Sequence, residues 1–457
     1  MTLVKMLQPG GRDGISSRES RDAIGYAVAA LNRVAQSDLV DRLGLRGRAE
    51  ALVHRSTRDG FAAVAKVTRV SRSFTRSGDR GATGTRVPST SVDGVFDLTP
   101  TEDQQMLVDV VTEFAAQVVR PAATAADDAC ATPEAVLKGS LEIGLPILGI
   151  PESLGGICEE RSAVTGVLVA EALAHGDMGI AVGLLAAGSV ATAIGLWGTD
   201  EQQQTYLPAF TGDDVPSAAL ALSEPAVLFD VLRPQTTAVR RGDQLVLNGL
   251  KSLVPVGTSA ELFVVGAVLE SQPVLVLVES STPGLTVADD PSMGVRGSSL
   301  ARLTLTEVTV PVSAVLGATD GSTYRVCVRL SRLAWCALAV GVGQAVLDYV
   351  TPYVKERKAF GEPIAYRQSV AFMVANIAIE LQAMRLLTYK AAARAAAGKD
   401  FTRELALARR ACGDHGMRIG LDGVQLLGGH GFVKGHPVER WYRDLRAVGL
   451  ADGAVLV

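Results

Sequence analysis

Two stretches decide how this chain is read: Arg357-Lys358-Ala359-Phe360-Gly361-Glu362-Pro363-Ile364, followed by Gln368, and Gln425-Leu426-Leu427-Gly428-Gly429-His430-Gly431-Phe432, followed by Arg443-Asp444. The first closes one helical run and opens another with a cation, an aromatic and two residues of special backbone freedom. The second sets a glycine-rich turn after a long helix. Around them the apolar positions repeat at three- and four-residue steps, which predicts helices over Leu330 to Lys355, Ala365 to Ala397 and Thr402 to Leu427. Upstream the period changes. Gln244 to Gly249, Glu261 to Leu269, Pro273 to Val278, Leu285 to Ala288 and Leu303 to Val310 are short, β-branched and bounded by Gly, Pro and Ser, as strands are. Further upstream the chain is helical from Thr99-Pro100-Thr101-Glu102 to about Leu207, broken at Gly144-Leu145-Pro146, Pro151 and Gly176. Thr99 is the expected cap, with Pro100 at the first helical position and Glu102 completing a capping box.

Helices, then strands, then helices without alternation exclude a doubly wound α/β sheet. The expected fold is mainly α with a central antiparallel β domain. Expected boundaries are 1–95 (a basic helical extension and linker), 96–215 (N-terminal α domain), 216–320 (β domain) and 321–457 (C-terminal helical bundle).

At 457 residues the chain can bury a large core, and with 48% hydrophobic but only 5% aromatic residues that core is built from Ala, Leu and Val. The net charge of -4 conceals an asymmetry. Residues 1–95 carry 16 Lys and Arg against 9 Asp and Glu; the remainder carries 28 against 39. An acidic body argues against a nucleic-acid partner. Within the arm, Phe61 to Phe74 reads as a basic amphipathic helix, able to lie on anionic lipid or to dock on an acidic protein surface. Arg18 to Ala35 and Asp38 to Val53 also read as helices, and Ser73 to Asp93 as a linker. Five scattered cysteines without CxxC spacing indicate reduced thiols and a cytoplasmic protein. The five histidines lack metal-ligand spacing, so no metal is expected. Neither a signal peptide nor an uncharged apolar run of membrane-spanning length is read here.

The two opening motifs, the helix–strand–helix order and Leu222-Ser223-Glu224-Pro225 together resemble the acyl-CoA dehydrogenase family, over residues 99–457. The resemblance implies an N-terminal helical domain, an antiparallel β-barrel or sandwich and a C-terminal four-helix bundle. It implies FAD between subunits, an acyl-CoA substrate, a tetramer and an electron-transfer flavoprotein as acceptor. Arg357 matches the family arginine that meets the FAD pyrophosphate, where a planar guanidinium makes paired, charge-assisted bonds. Phe360 would pack near the adenine. Gln368 and Gln425 supply amides, and Gly428 and Gly429 admit close backbone approach. Arg332 and Gly453 fall at substrate positions, although the family's acidic residue three positions before Arg332 is Arg329 here.

Other positions depart from the family. Its flavin cradle, roughly T/S-E-P-G-x-G-S-D, reads Ser223-Glu224-Pro225-Ala226-Val227-Leu228-Phe229-Asp230, which leaves Ser223 as the flavin-facing hydroxyl. The K-x-W-I-T/S segment reads Lys251-Ser252-Leu253-Val254-Pro255. The catalytic Glu corresponds to Asp452, a base one methylene shorter. The expected function is FAD-dependent α,β-dehydrogenation of an acyl-CoA thioester, alone or as one subunit of a heteromer with a related dehydrogenase. The alternatives are a catalytically weak structural or regulatory subunit that completes a partner's FAD site, and an oxidase or monooxygenase on the same fold.

Overall fold

The computed structural model describes residues 99–157, 161–212 and 214–457. The helices and linker expected within residues 1–95 lie outside these; the described residues belong to the compact unit Gly94–Val457.

The first helix, α1 (Glu102–Phe114), is capped by Thr101, not by the expected Thr99. The Thr101 hydroxyl accepts from Gln104 N and the Gln104 amide accepts from Thr101 N. Both threonines have a Glu or Gln three residues on, so the sequence offers two registers for one capping box. A π-helical turn (Ala115–Val119) leads into α2 (Arg120–Ala129), and α3 (Glu134–Glu142) follows. The break at Gly144 is a left-handed residue, φ 70°, ahead of a 3-10 turn at Leu145–Ile147. Then come α4 (Ala163–Gly176), α5 (Met178–Trp197) and α6 (Asp200–Phe210).

Helix α5 corrects one expectation. Its 20 residues carry no charge, so an apolar run of membrane-spanning length does exist. The reason is burial within the fold: 72% of its apolar window is covered by the protein, and a helix surrounded on all sides needs no polar face.

The β domain is one eight-stranded sheet, and it does not close into a barrel. In chain order the strands are β1 (Ala218–Ala221), β2 (Thr237–Arg241), β3 (Gln244–Val254), β4 (Leu262–Leu269), β5 (Gln272–Glu279), β6 (Leu285–Asp289), β7 (Ala301–Pro311) and β8 (Val315–Leu316). Their spatial order is β6-β7-β3-β2-β4-β5-β8, with β1 beside β4. The sheet is not wholly antiparallel, because β1 and β2 both pair parallel to β4.

The C-terminal region consists of α7 (Ser322–Glu356), a two-stranded hairpin β9 (Lys358–Ala359) and β10 (Glu362–Pro363), α8 (Gln368–Ala396), α9 (Thr402–Leu427) and the short α10 (Val438–Leu445). Helices α4 and α7 cross closely at Gly341, where a Cβ would stand 2.2 Å from the Glu171 carbonyl oxygen. At the same crossing Glu171 accepts from Arg385 (3.0 Å) and Tyr389 (2.8 Å), and Arg385 also reaches Gln344 (2.9 Å). This ties α8 to α4 and α7.

The Arg443-Asp444 pair pins α10 onto the other two regions. Arg443 makes a two-pronged bond to Asp127 of α2, both prongs 2.8 Å, and a second to Glu439. Asp444 accepts from Val295 N at 2.6 Å, while its other oxygen is buried without a partner. Burial, with Asp177 nearby, pushes the Asp444 carboxyl up to about 8. The folded protein therefore holds a proton that the unfolded chain releases near pH 4, and its stability falls as pH rises from there to about 8. Asp444→Asn is expected to flatten the decline in Tm between pH 6 and pH 8, measured by scanning calorimetry across that range.

Candidate functional site

The last turn of chain, 451–457, carries the residue expected to act as base. Gly453 turns it, with φ 81° and Leu222 Cβ only 3.0 Å from where a Cβ would stand, so any other residue is strained there and needs Leu222 to give way. Three donors hold the turn. Ser331 Oγ (2.7 Å) and Trp335 Nε1 (2.9 Å), both on α7, donate to the Gly453 carbonyl. Ser223 Oγ donates to the Asp452 carbonyl at 2.7 Å and accepts from Asp452 N at 3.3 Å. The hydroxyl read from the sequence as flavin-facing thus clamps the backbone of Asp452.

The Asp452 carboxylate is largely buried between two guanidinium groups. Arg332 of α7 donates through Nε to Oδ1 (2.7 Å) and through Nη2 to Oδ2 (3.3 Å). Arg409 of α9 stands 3.3 Å from Oδ1 and donates to the Ala451 carbonyl at 2.9 Å. Burial works against the Arg332 charge, but the bond and charge of Asp452 outweigh it and leave the guanidinium above its usual range. Three regions therefore meet at one carboxylate: Ser223 from the β domain, Arg332 and Arg409 from the helical bundle, and Asp452 and Gly453 from the tail.

Both arginines also line a cavity of about 790 Å³ between α7 and α9. Arg325, Arg329 and Arg410 line it too; Asp414, also in the lining, pairs with Arg410, and Asp400 stands 3.3 Å from Arg329. A cleft of this size suits a small ligand, and its charge suits one with phosphates.

Behind Ser223 lies a buried ion pair. Lys251 Nζ donates to Glu224 Oε1 at 2.7 Å, with side-chain exposures of 0% and 4%. Glu224 also accepts from Thr236 N (2.9 Å), Thr236 Oγ1 (2.7 Å) and Gln235 N (2.7 Å). Burial disfavours its charge, yet Lys251 and Thr236 together hold it below the usual carboxylate range. Burial outweighs Glu224 at the lysine and brings its ammonium down to about 8. These two motif residues are structural: they fix the segment that carries Ser223.

The remaining expected residues lie on the far side of the bundle. Arg357 caps the C-terminus of α7 and is exposed, with no side-chain partner among the described residues. Phe360 is 96% exposed at the hairpin tip and has Arg367 over its ring at 5.7 Å. Gln368 opens α8, and Gln425 sits in the last turn of α9, both exposed. Gly428 has φ 57°, and a Cβ at Gly428 or Gly429 would meet nothing within 4 Å. A free guanidinium, two free amides and open backbone fit the phosphates and sugar of a dinucleotide. None of the six contacts Asp452 within the chain.

At the cradle, Val227 and Leu228 are 95% and 96% exposed, and Leu228 adopts φ 57°. A left-handed leucine is strained by about 1–2 kcal/mol where glycine would not be. Arg409 was missed by the sequence reading, although a signal existed. It falls within the buried stripe Leu405, Ala408, Cys412, Gly416 of α9, where the period calls for an apolar residue.

Three family models match the chain in order: acyl-CoA dehydrogenase N-terminal domain over residues 101–213, middle domain over 219–308 and C-terminal domain over 324–455. Cyclohex-1-ene-1-carbonyl-CoA dehydrogenase of Geobacter metallireducens is 33% identical over 77% of this chain and 95% of its own. Butyryl-CoA dehydrogenase from Megasphaera elsdenii has the same fold, with a TM-score of 0.71 and 28% identity over 77% of this chain and 95% of its own. A chain solved in work on the electron transferring flavoprotein of Acidaminococcus fermentans gives a TM-score of 0.71 and 30% identity over 78% of this chain and 95% of its own. With three family domains matched in order along the chain, this chain belongs to the acyl-CoA dehydrogenase family.

Proposed function

We propose that this protein catalyses FAD-dependent α,β-dehydrogenation of an acyl-CoA thioester, with Asp452 as the base. The observation that carries this reading is the single carboxylate held where the β domain, the C-terminal helices and the tail meet, beside a cavity of about 790 Å³ lined by arginines. Asp452 takes the α-proton onto a carboxylate oxygen. Arg332 and Arg409 fix that carboxylate's orientation, and Ser223 fixes its backbone. Arg325, Arg329 and Arg410 supply the charge that the CoA phosphates need. FAD, when bound, supplies the acceptor for the hydride that leaves the β-carbon. Arg357, Gln368, Gln425, Gly428 and Gly429 would hold its phosphate-bearing half. An electron-transfer flavoprotein is the proposed final acceptor.

Arg357→Ala is expected to raise the FAD dissociation constant about 10- to 100-fold, the effect of losing charge-assisted bonds to a pyrophosphate. Equilibrium dialysis of FAD against the full-length protein checks this; an unchanged constant removes Arg357 from the cofactor site.

Assembly beyond one chain is part of the proposal. The apolar window of α8 is only 17% covered within the chain, and Phe372, Ile379 and Leu386 stand exposed at seven-residue steps along it. That seam suits a second helix pair, as in a tetramer. A second reading, that the chain completes the FAD site of a related partner subunit, is favoured by Leu228 and Val227 in its own cradle. Flavin bound per chain, measured for the protein alone and with that partner, separates the two: full occupancy alone excludes the second reading. The free thiols of Cys327, Cys336 and Cys412 support a cytoplasmic location. The basic arm leaves contact with a membrane surface as a property to test with anionic liposomes.

A further inference from the structure

A second cation stands apart from the arginine cavity. Arg161, immediately before α4, buries its Nη2 without any hydrogen-bond partner. It lines a small cavity of about 50 Å³ together with Ser162, Thr165, Ser189, Thr192 and the tail residues Val455–Val457. A buried guanidinium nitrogen left unpaired is costly, so such a group calls for a partner. Burial alone brings this guanidinium down to about 10, with no carboxylate opposing the shift.

The hydroxyls of the cavity each have a partner. Ser162 Oγ accepts from Val164 N (3.2 Å) and Thr165 Oγ1 from Gln104 Nε2 (3.0 Å). Ser189 Oγ donates to the Leu185 carbonyl (2.6 Å) and accepts from Leu456 N (2.9 Å). Thr192 Oγ1 donates to the Gly188 carbonyl at 2.7 Å. The unspent donors are therefore the Ser162 and Thr165 hydroxyl protons and one cation, and among the described residues no acidic side chain lines the space. A water needs roughly 10–15 Å³ of such volume, so the cavity holds several water-sized groups: enough for a carboxylate and too little for a phosphoester chain. A planar guanidinium and a carboxylate are complementary.

We propose that the Arg161 cavity is a carboxylate-binding subsite, distinct from the Asp452 cluster and joined to it by the tail segment 453–457. The carboxylate comes either from a free short-chain acid or from the distal end of an acyl chain whose thioester lies at Asp452. The second source rests on the dehydrogenase reading; the first does not.

The test uses the full-length protein with sodium acetate and acetamide, which share a shape and differ in charge, and reads binding by saturation-transfer NMR. Acetate is expected to bind and acetamide to give no signal. In Arg161→Gln the acetate signal is expected to drop at least tenfold, with partial retention in Arg161→Lys. Equal signals from acetate and acetamide, or no acetate binding to the wild-type protein, would overturn the proposal, and these outcomes do not depend on whether any variant folds. A second arm compares kcat/KM for a carboxylate-ended acyl-CoA with its methyl-ended counterpart of equal length. A preference for the former that falls at least tenfold in Arg161→Gln assigns the distal carboxylate. A ratio that Arg161→Gln leaves unchanged, while the same substitution abolishes acetate binding, assigns the free acid; acetate binding that Arg161→Gln retains in full would overturn the proposal. Acetate binding without turnover of any thioester would support the subsite while contradicting the dehydrogenase reading.

Discussion

Asp452→Asn lowers kcat with an acyl-CoA thioester by about 10²- to 10⁴-fold, the range that loss of a positioned base produces. The substitution preserves the size of the side chain and keeps the Asp452 backbone bonds to Ser223, so the turn itself is retained. What it removes is the negative charge that makes the carboxylate basic enough to take the proton. Arg332 and Arg409 lose a charged partner, but neither is fully buried, and both border a cavity open to solvent. The effect should therefore appear in turnover and not in Tm, which is expected to shift by only a few degrees. Asp452→Glu provides the control: it restores the methylene missing relative to the family and is expected to retain far more activity than Asp452→Asn. Steady-state rates with a dye acceptor, together with FAD occupancy of each variant, check this. An Asp452→Asn protein that keeps more than a tenth of wild-type turnover would place the base elsewhere.

Lys251→Met costs about 3–5 kcal/mol of stability, because it leaves Glu224 ionised and alone in the interior. The remaining Thr236 and Gln235 donors satisfy its oxygens but carry no net charge. The double variant Lys251→Met, Glu224→Gln is expected to recover most of the loss, since removing both charges removes the desolvation that each suffers. Urea denaturation midpoints of the wild-type, single and double variants measure the difference. The pair also sets a pH dependence. The folded lysine titrates near 8 and the unfolded one near 10.4, so the folded state binds fewer protons between these values and its stability rises with pH across them. Lys251→Met should lose that rise. A single variant as stable as wild type would mean that Glu224 is solvated.

The helices were legible because their apolar periods are long and uninterrupted. Thr402 to Leu427 is found with both expected ends, and Gly428 ends it by taking a left-handed φ. Strands of β-branched residues were equally clear. Two others were not. Ala218–Ala221 carries no strand signal of its own and becomes β1 through parallel pairing with Leu262–Val265. Thr237–Arg241 is mostly exposed and charged, so its pairing with β3 and β4 comes from topology and not from pattern. A barrel could not be told from an open sheet because closure depends on register, which short strands leave unspecified.

At the site, motif spacing located Asp452, Arg332 and Ser223, but it could not show that the serine hydroxyl faces the Asp452 backbone. That arrangement follows from Gly453 packing on Leu222 across two domains. Arg409 and Arg161 belong to no motif. Each is recognisable only as a cation where the surrounding residues are apolar or already paired.

The most direct test of the dehydrogenase reading is a single-turnover experiment. FAD-loaded full-length protein is mixed without oxygen or external acceptor with a set of acyl-CoA thioesters, and the thioester product is weighed by mass spectrometry. The expected product is an enoyl-CoA, lighter by two hydrogens, formed in an amount equal to the bound FAD from at least one thioester and lost in Asp452→Asn. FAD-loaded protein that binds these thioesters and returns them all unchanged would contradict the dehydrogenase reading.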